Sequence, residues 1–204
     1  MQTVLVNGEK ITPSKVVCVG RNYVAHIEEL GNEVPEEMVV FNKPNSAISD
    51  ILRSQMDGEA LHYEGELAFA VSHGELSAVG FGLDLTKRSL QSVLKEKGLP
   101  WERAKAFDGA ALFSDFVPLP ANIHTLSLQL EVDGDLRQDG GVSLMMYKPH
   151  TILRELQRFM TLEEGDIIMT GTPAGVGPMK TGEHFSGRVL SEGKVIAEAH
   201  WIAQ

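Results

Sequence analysis

Apolar and polar residues alternate most strictly in Leu126-Ser127-Leu128-Gln129-Leu130-Glu131-Val132, and the period of two predicts a strand with one buried face. Asp133-Gly134 follows at once, so this strand should turn back as a hairpin. The same signature appears at Val4-Leu5-Val6-Asn7-Gly8-Glu9-Lys10-Ile11 and between Gly187 and Ala197, around Glu192-Gly193. Helical periodicity is rarer. Between Thr151 and Met160 it places Ile152, Leu153, Leu156, Phe159 and Met160 on one face, shortly after Pro149 as a start signal. Asn22 to Leu30 reads as a short helix capped by Asn22 and stopped by Gly31, and Thr86 to Lys97 as another stopped by Gly98. The expected class is α+β, dominated by β-structure, with few short helices.

At 204 residues and 43% hydrophobic content the chain can bury a substantial core. One domain over residues 1–204 is expected, with residues 1–15 as a short N-terminal hairpin appendage. There is no run of about 18 apolar residues that would span a membrane. The first ten residues lack a charged segment followed by an apolar one, so no secretory leader is expected. A cytoplasmic location follows as the expectation. The formal net charge of −10 argues against nucleic acid or anionic membrane as partners. The single cysteine, Cys18, lies in an apolar run and reads as a buried core thiol.

The chemistry concentrates in His62-Tyr63-Glu64-Gly65-Glu66-Leu67-Ala68-Phe69-Ala70-Val71. On a strand, His62, Glu64 and Glu66 share a face, which forces two carboxylates together. Such a pair either lies on a solvated face or shares a hard cation, because Mg2+ and Ca2+ take oxygen ligands. In Gly82-Leu83-Asp84-Leu85-Thr86-Lys87-Arg88-Ser89-Leu90-Gln91, Asp84 is expected at a helix N-terminus, with Arg88 and Gln91 along the same stripe. An N-capping Asp with a surface ion pair explains that spacing equally well. Lys105 has apolar neighbours, Ala104, Ala106 and Phe107, compatible with partial burial. Gly171-Thr172-Pro173-Ala174-Gly175-Val176-Gly177-Pro178 is not a nucleotide loop, since no helical period follows it. It reads as a loop able to bring backbone amides and the Thr172 hydroxyl to a small ligand, or as a plain connection.

Seven motifs in order, Gly20-Arg21-Asn22-Tyr23-x-x-His26, Phe41-x-Lys43-Pro44, His62-Tyr63-Glu64-Gly65-Glu66-Leu67, Lys97-Gly98-Leu99-Pro100-Trp101, Ala104-Lys105-x-Phe107-Asp108, Leu136-Arg137-Gln138-Asp139-Gly140 and Thr170-Gly171-Thr172-Pro173-Ala174-Gly175-Val176-Gly177, carry a resemblance. The chain resembles the fumarylacetoacetate hydrolase family, in its short branch of acylpyruvate hydrolases and oxaloacetate decarboxylases or tautomerases. The resemblance implies a mixed β-sandwich or β-roll, a homodimer, and a catalytic Mg2+ or Mn2+, with Ca2+ able to replace it in crystals. It implies Glu64, Glu66 and Asp84 as metal ligands, and Arg88, Gln91, Lys105 and Thr172 as holders of the pyruvoyl end of the substrate. His26 and Glu29 match a lid pair in which Glu orients His to activate water, and their i, i+3 spacing suits it independently. The lid is expected to run from Asn22 to Asn32. His62 matches a position that is not a ligand.

Two departures from the family pattern stand out: Ser89 follows Arg88 where Asp is frequent, and Asn45 to Met56 is atypical before the Glu-x-Glu strand. The reaction expected first is metal-dependent hydrolysis of an acylpyruvate, a small anionic 2-oxo acid, to pyruvate and a carboxylic acid. Lys105 and the metal would stabilise the enolate, and Arg21 and Lys43 would add positive charge to the pocket. Oxaloacetate decarboxylation, which shares that enolate, or tautomerisation, which exchanges a proton between the enol and keto forms, are the alternatives. A 2-hydroxyhepta-2,4-diene-1,7-dioate isomerase and a silent metal-binding scaffold are remoter ones.

Overall fold

The computed structural model describes residues 1–31, 35 and 37–204. The three tight hairpins that the turn chemistry predicts stand where it puts them. Asn7, Asp133 and Glu192 each take φ near +50°, followed by a glycine at positive φ, as two-residue turns between twisted strands require. The first hairpin pairs Val4–Val6 with Glu9–Ile11. Along Leu126–Val132 every second residue is buried, as the alternation predicts.

Two sheets make the body of the protein. One contains, in spatial order, Ala111–Phe113, Glu75–Asp84, Gly65–Ser72, Ile167–Met169, Lys15–Gly20 and Val39–Pro44, with Val117–Pro118 also paired to Glu75–Asp84. The second runs Asp135–Gly141, Leu126–Val132, His184–Ser191, Lys194–Ile202. Leu67, Phe69, Phe81 and Leu83 from the first sheet and Leu128, Leu130, Phe185 and Val189 from the second belong to one buried cluster, the core of a β-sandwich. The sheets approach so closely at Gly187 that a Cβ there would lie 2.3 Å from the Phe81 ring. No side chain other than hydrogen fits. The fold is therefore the β-dominated α+β class expected, with helices kept to the periphery.

The helices are shorter than their sequence patterns. α1 covers Val24–Glu29, α2 Arg88–Glu96, α3 Glu102–Lys105 and α4 Pro149–Gln157. Asn22 does not cap α1. Its side chain donates to Tyr147 O (3.0 Å) and Thr170 O (2.8 Å) and accepts from Tyr147 N (2.7 Å), so tertiary hydrogen bonds take the group that a cap would use. Asp84 does not open α2. It ends the strand Glu75–Asp84, and Lys87 holds the position before the helix. Phe159 falls beyond the end of α4 and is 63% exposed, whereas Ile152, Leu153 and Leu156 face the core. Among the described residues no helix is long and apolar enough to cross a membrane.

Ile167–Met169 pairs in parallel with Lys15–Gly20, a contact between segments about 150 residues apart that no hairpin explains. Asp166 fixes it. Its buried carboxylate accepts from Ser14 N (3.0 Å), Ser14 Oγ (2.7 Å), Lys15 N (3.1 Å) and Glu163 N (2.8 Å), and ion-pairs with Lys15. Burial alone would raise its pKa, but these donors, Lys15 and Ser14 foremost, hold it below the usual aspartate range. Asp166→Ala should cost about 2–4 kcal/mol in urea unfolding, because it removes at once the buried acceptor that several partly buried donors share. A depressed folded-state pKa contributes stability that is present above the unfolded value and lost as pH falls through the folded one. The gap between wild type and variant should therefore persist at neutral pH and narrow only below about pH 4.

Candidate metal centre

Strand register assembles the centre. In the hairpin of Gly65–Ser72 and Glu75–Asp84, Gly65 lies opposite Leu83 and Glu66 opposite Gly82. The same register continues past the strand end, where Asp84 N donates to Glu64 O (2.8 Å) and His62 and Thr86 exchange both backbone bonds (2.9 and 3.0 Å). Glu64 thus faces Asp84 across the ladder, and Glu66 is two residues along on the same face. One carboxylate oxygen from each of the three lies within 4.8 Å of the others, and all three residues are buried. His62 remains outside the group. It is half-buried, and its Nδ1 has no hydrogen-bond partner among the described residues.

Cations from distant parts of the chain surround two of the carboxylates. Lys105, at the end of α3, donates to Glu64 Oε2 (2.9 Å), Asp84 Oδ2 (2.7 Å) and Thr86 Oγ1 (2.6 Å), which commits all three of its N–H bonds. Lys43, fully buried on the strand Val39–Pro44, lies 2.7 Å from Asp84 Oδ1 and donates to Lys105 O. Its angle leaves Asp84 Oδ1 without a directed hydrogen bond. Arg88, in the first turn of α2, pairs with Glu64 and donates to Gln91 Oε1 (2.8 Å). Glu66 has no such cation, and its only directed bond among the described residues is from Gly171 N (2.7 Å).

The charge states separate accordingly. Burial would raise Glu64, but Lys105 and Arg88 hold it well below the usual carboxylate range. Burial, with Asp84 and Glu64 beside it, pushes Glu66 well above that range. Lys105 is raised: burial disfavours its charge, and Asp84 and Glu64 more than offset that. Three buried oxygen donors, one under-compensated and another with an orphaned oxygen, fit a hard divalent cation such as Mg2+ or Mn2+.

Around the carboxylates the pocket is lined by Arg21, His26, Arg88, Gln91, Thr172 and, beyond the residues expected, Lys95 with Trp101. His26, on α1, is 7% exposed and its Nδ1 stands 3.2 Å from Glu29 Oε2. Glu29 Oε1 in turn accepts from Gly175 N (3.0 Å), which ties α1 to the Gly171–Gly177 loop. That loop cannot vary at Gly175, where φ is +101° and a Cβ would lie 1.9 Å from Arg137 O. Of the segment expected to form the lid, Asn22 to Asn32, the last residue lies outside the described residues.

Two expected substrate contacts are otherwise engaged. The Thr172 hydroxyl donates to Gly65 O (2.9 Å) and accepts from Gln138 Nε2 (2.8 Å), so it braces the strand that carries Glu66. Lys105 has no N–H left for a ligand in this arrangement. Gln138, to which the sequence assigns no role, bridges Gly65 N (2.8 Å), Thr172 Oγ1 and Pro173 O (2.8 Å) from a buried position. Its place among polar residues on a mostly exposed strand gives no signal. Ser89, which stands where Asp is frequent, donates its backbone N–H to Glu59 Oε1 (2.7 Å).

Residues 15–200 match the fumarylacetoacetate (FAA) hydrolase C-terminal family. The chain is 40% identical over 190 residues to the oxaloacetate tautomerase YcgM of Escherichia coli, covering 85% of this chain and 87% of that one. A crystal structure from Oleispira antarctica, of a protein provisionally assigned as a fumarylacetoacetate isomerase/hydrolase, superposes with a TM-score of 0.93 at 34% identity over 100% of both chains. The fumarylpyruvate hydrolase of Pseudomonas aeruginosa, crystallised with Mn2+ and pyruvate, gives 0.87 at 29% identity, covering 100% of this chain and 96% of that one. With a family match over most of its length, and relatives that share both its sequence and its fold, the chain belongs to the fumarylacetoacetate hydrolase family.

Proposed function

We propose that the protein interconverts the keto and enol forms of oxaloacetate, with a divalent cation held by Glu64, Glu66 and Asp84. One observation carries this reading: the three buried carboxylates open onto the same pocket as His26, in a chain that is 40% identical over 190 residues to an oxaloacetate tautomerase. Hydrolysis of an acylpyruvate, the reaction expected first from the sequence, yields to the oxaloacetate alternative on that likeness.

Tautomerisation moves one proton from C3 and returns another to the oxygen at C2. Bound Mg2+ or Mn2+ would polarise the 2-oxo group as a Lewis acid and make the C3 protons more acidic. His26 is the base. With Glu29 on Nδ1, its Nε2 is the nitrogen left for proton transfer, and Glu29 stabilises the imidazolium that forms. Arg88 and Gln91 receive the carboxylate next to the oxo group, where Arg88 Nε is buried without a partner among the described residues. Lys105 is a positioning residue, because its ammonium holds Glu64 and Asp84 together rather than reaching a ligand. The Gly171 amide and the Gln138–Thr172 pair hold the Glu66 strand end from the other side.

Decarboxylation of oxaloacetate breaks the C3–C4 bond, releases CO2 and leaves pyruvate enolate, whereas tautomerisation keeps that carboxylate and passes through the enolate of oxaloacetate itself. Hydrolysis is the second reading, favoured by the likeness to the fumarylpyruvate hydrolase. It alone needs an added water, which His26 would activate.

His26→Ala should slow enol–keto exchange by about 10²–10⁴-fold, followed by the ultraviolet absorbance of the enol. CO2 release from oxaloacetate, which needs no base at C3, should fall far less. Undiminished exchange in the variant would remove His26 from the mechanism, and rapid hydrolysis of fumarylpyruvate with no acceleration of exchange would decide for the second reading.

Glu66→Gln should weaken Mn2+ binding at least about 10–100-fold by calorimetry, since losing a ligand should cost no less than losing a ligand's support. In chelator the same variant should melt above wild type, because it removes a charge that burial and two neighbouring carboxylates disfavour. A variant that binds Mn2+ normally would show that Glu66 is no ligand.

A further inference from the structure

Lys95 belongs to the pocket but not to its carboxylate network. It follows Arg88 and Gln91 on α2 at steps of three and four, so the three side chains form one stripe along the helix. Lys95 stands one turn, about 6 Å of axial rise, beyond Gln91. Its stem is half-buried and its Nζ lies 5.0 Å from the centre of the Trp101 ring, which fixes the direction of the side chain. Lys43, Lys105 and Arg88 are each paired with Glu64 or Asp84. Lys95 forms no ion pair among the described residues. Burial, with Arg21 and Arg88 nearby, pulls its ammonium down to about 8, and the opposing pull of Glu64 does not offset them.

We propose that Lys95 receives the distal carboxylate of the substrate, so that the site selects short 2-oxo diacids over 2-oxo monoacids. The assignment rests on the reading of the carboxylate triad, Arg88 and Gln91 as the seat of the 2-oxo acid end. From that seat the second carboxylate of a four-carbon diacid lies three carbon–carbon bonds away, and Lys95 is the next cation along α2. An ammonium partly stripped of water gains more from a carboxylate than an exposed lysine does. The Trp101 face holds the apolar stem in place, which lowers the ordering cost of binding. Lys95 contributes binding and selection, and no proton transfer depends on it.

The test uses Mn2+-loaded protein and two probes. Oxalate presents only the chelating end, whereas oxaloacetate carries the distal carboxylate as well. Lys95→Met keeps the length and the Trp101 contact without the charge. It should raise the KM for oxaloacetate by about 10–100-fold, the loss expected for one charged hydrogen bond, with kcat changed less than about threefold. Calorimetric affinity for oxalate should stay within about twofold, and Lys95→Arg should restore most of the oxaloacetate affinity. An unchanged KM for oxaloacetate overturns the proposal, and so does an equal loss for oxalate, which would make Lys95 a general contributor to pocket charge. If wild-type protein does not turn over oxaloacetate, the tautomerase reading fails while the subsite is still decided by binding. Wild type should then prefer oxaloacetate to pyruvate as a ligand, and Lys95→Met should abolish that preference; a variant that retains it overturns the subsite.

Discussion

Three carboxylates buried on one hairpin repel each other, and the surrounding architecture holds them together regardless. The register that puts Glu64 opposite Asp84, with Glu66 on the same face, is set by the long pairing of Gly65–Ser72 with Glu75–Asp84. Moving the pairing by one residue would turn the carboxylates to the opposite face, into the apolar packing. Their charge is met from outside the hairpin. Lys43 arrives on the strand Val39–Pro44, Lys105 on α3 and Arg88 on α2, and together they contact Glu64 and Asp84 but not Glu66. Buried ion pairs of this kind seldom add net stability over apolar packing, so their retention points to a role in arranging charge. The imbalance left at Glu66 is what gives the group its appetite for a divalent cation.

A second layer holds the ligand strand from the other side. Gly171 donates to Glu66, Thr172 to the carbonyl of Gly65, and Gln138 bridges the two segments. The same loop reaches Glu29 through Gly175 N, so the carboxylate centre and the His26–Glu29 pair share one support. A preorganised site needs this, because a ligand set loose by a fraction of an ångström loses both metal affinity and alignment.

Much of this architecture is legible in the amino-acid sequence. The hairpins at Asn7-Gly8, Asp133-Gly134 and Glu192-Gly193 follow from local turn chemistry, and the burial of Leu126, Leu128, Leu130 and Val132 follows from a period of two. The approach of Glu64 to Glu66 is equally local. Asp84 joins them only through family resemblance, since its own neighbourhood points to a helix start. The strand wins because its pairing with Gly65–Ser72 extends to residue 84, a long-range contact that no window of sequence displays. Asn22 resembles a cap for the same reason, its tertiary partners Tyr147 and Thr170 being more than a hundred residues away. Lys105 reads as a substrate contact, since nothing in its local sequence shows that three acceptors already claim its ammonium. Lys95 lies on the visible stripe with Arg88 and Gln91, yet a lysine on a polar helix carries no mark of burial.

The distribution of these charges along the chain also orders events during folding. The hairpin that unites Glu64 and Asp84 closes a short loop, so its contacts are among the first that the chain can make. At neutral pH it closes against its own repulsion. Relief comes from Lys43, whose strand must pair with Lys15–Gly20, and from Lys105, at the far end of two helices. The carboxylates therefore repel one another until the segments that carry Lys43 and Lys105 dock. A folding intermediate with the hairpin in place but α3 undocked would hold a concentrated negative patch, attractive to stray cations, and would set into its final geometry only when Lys105 closes over it.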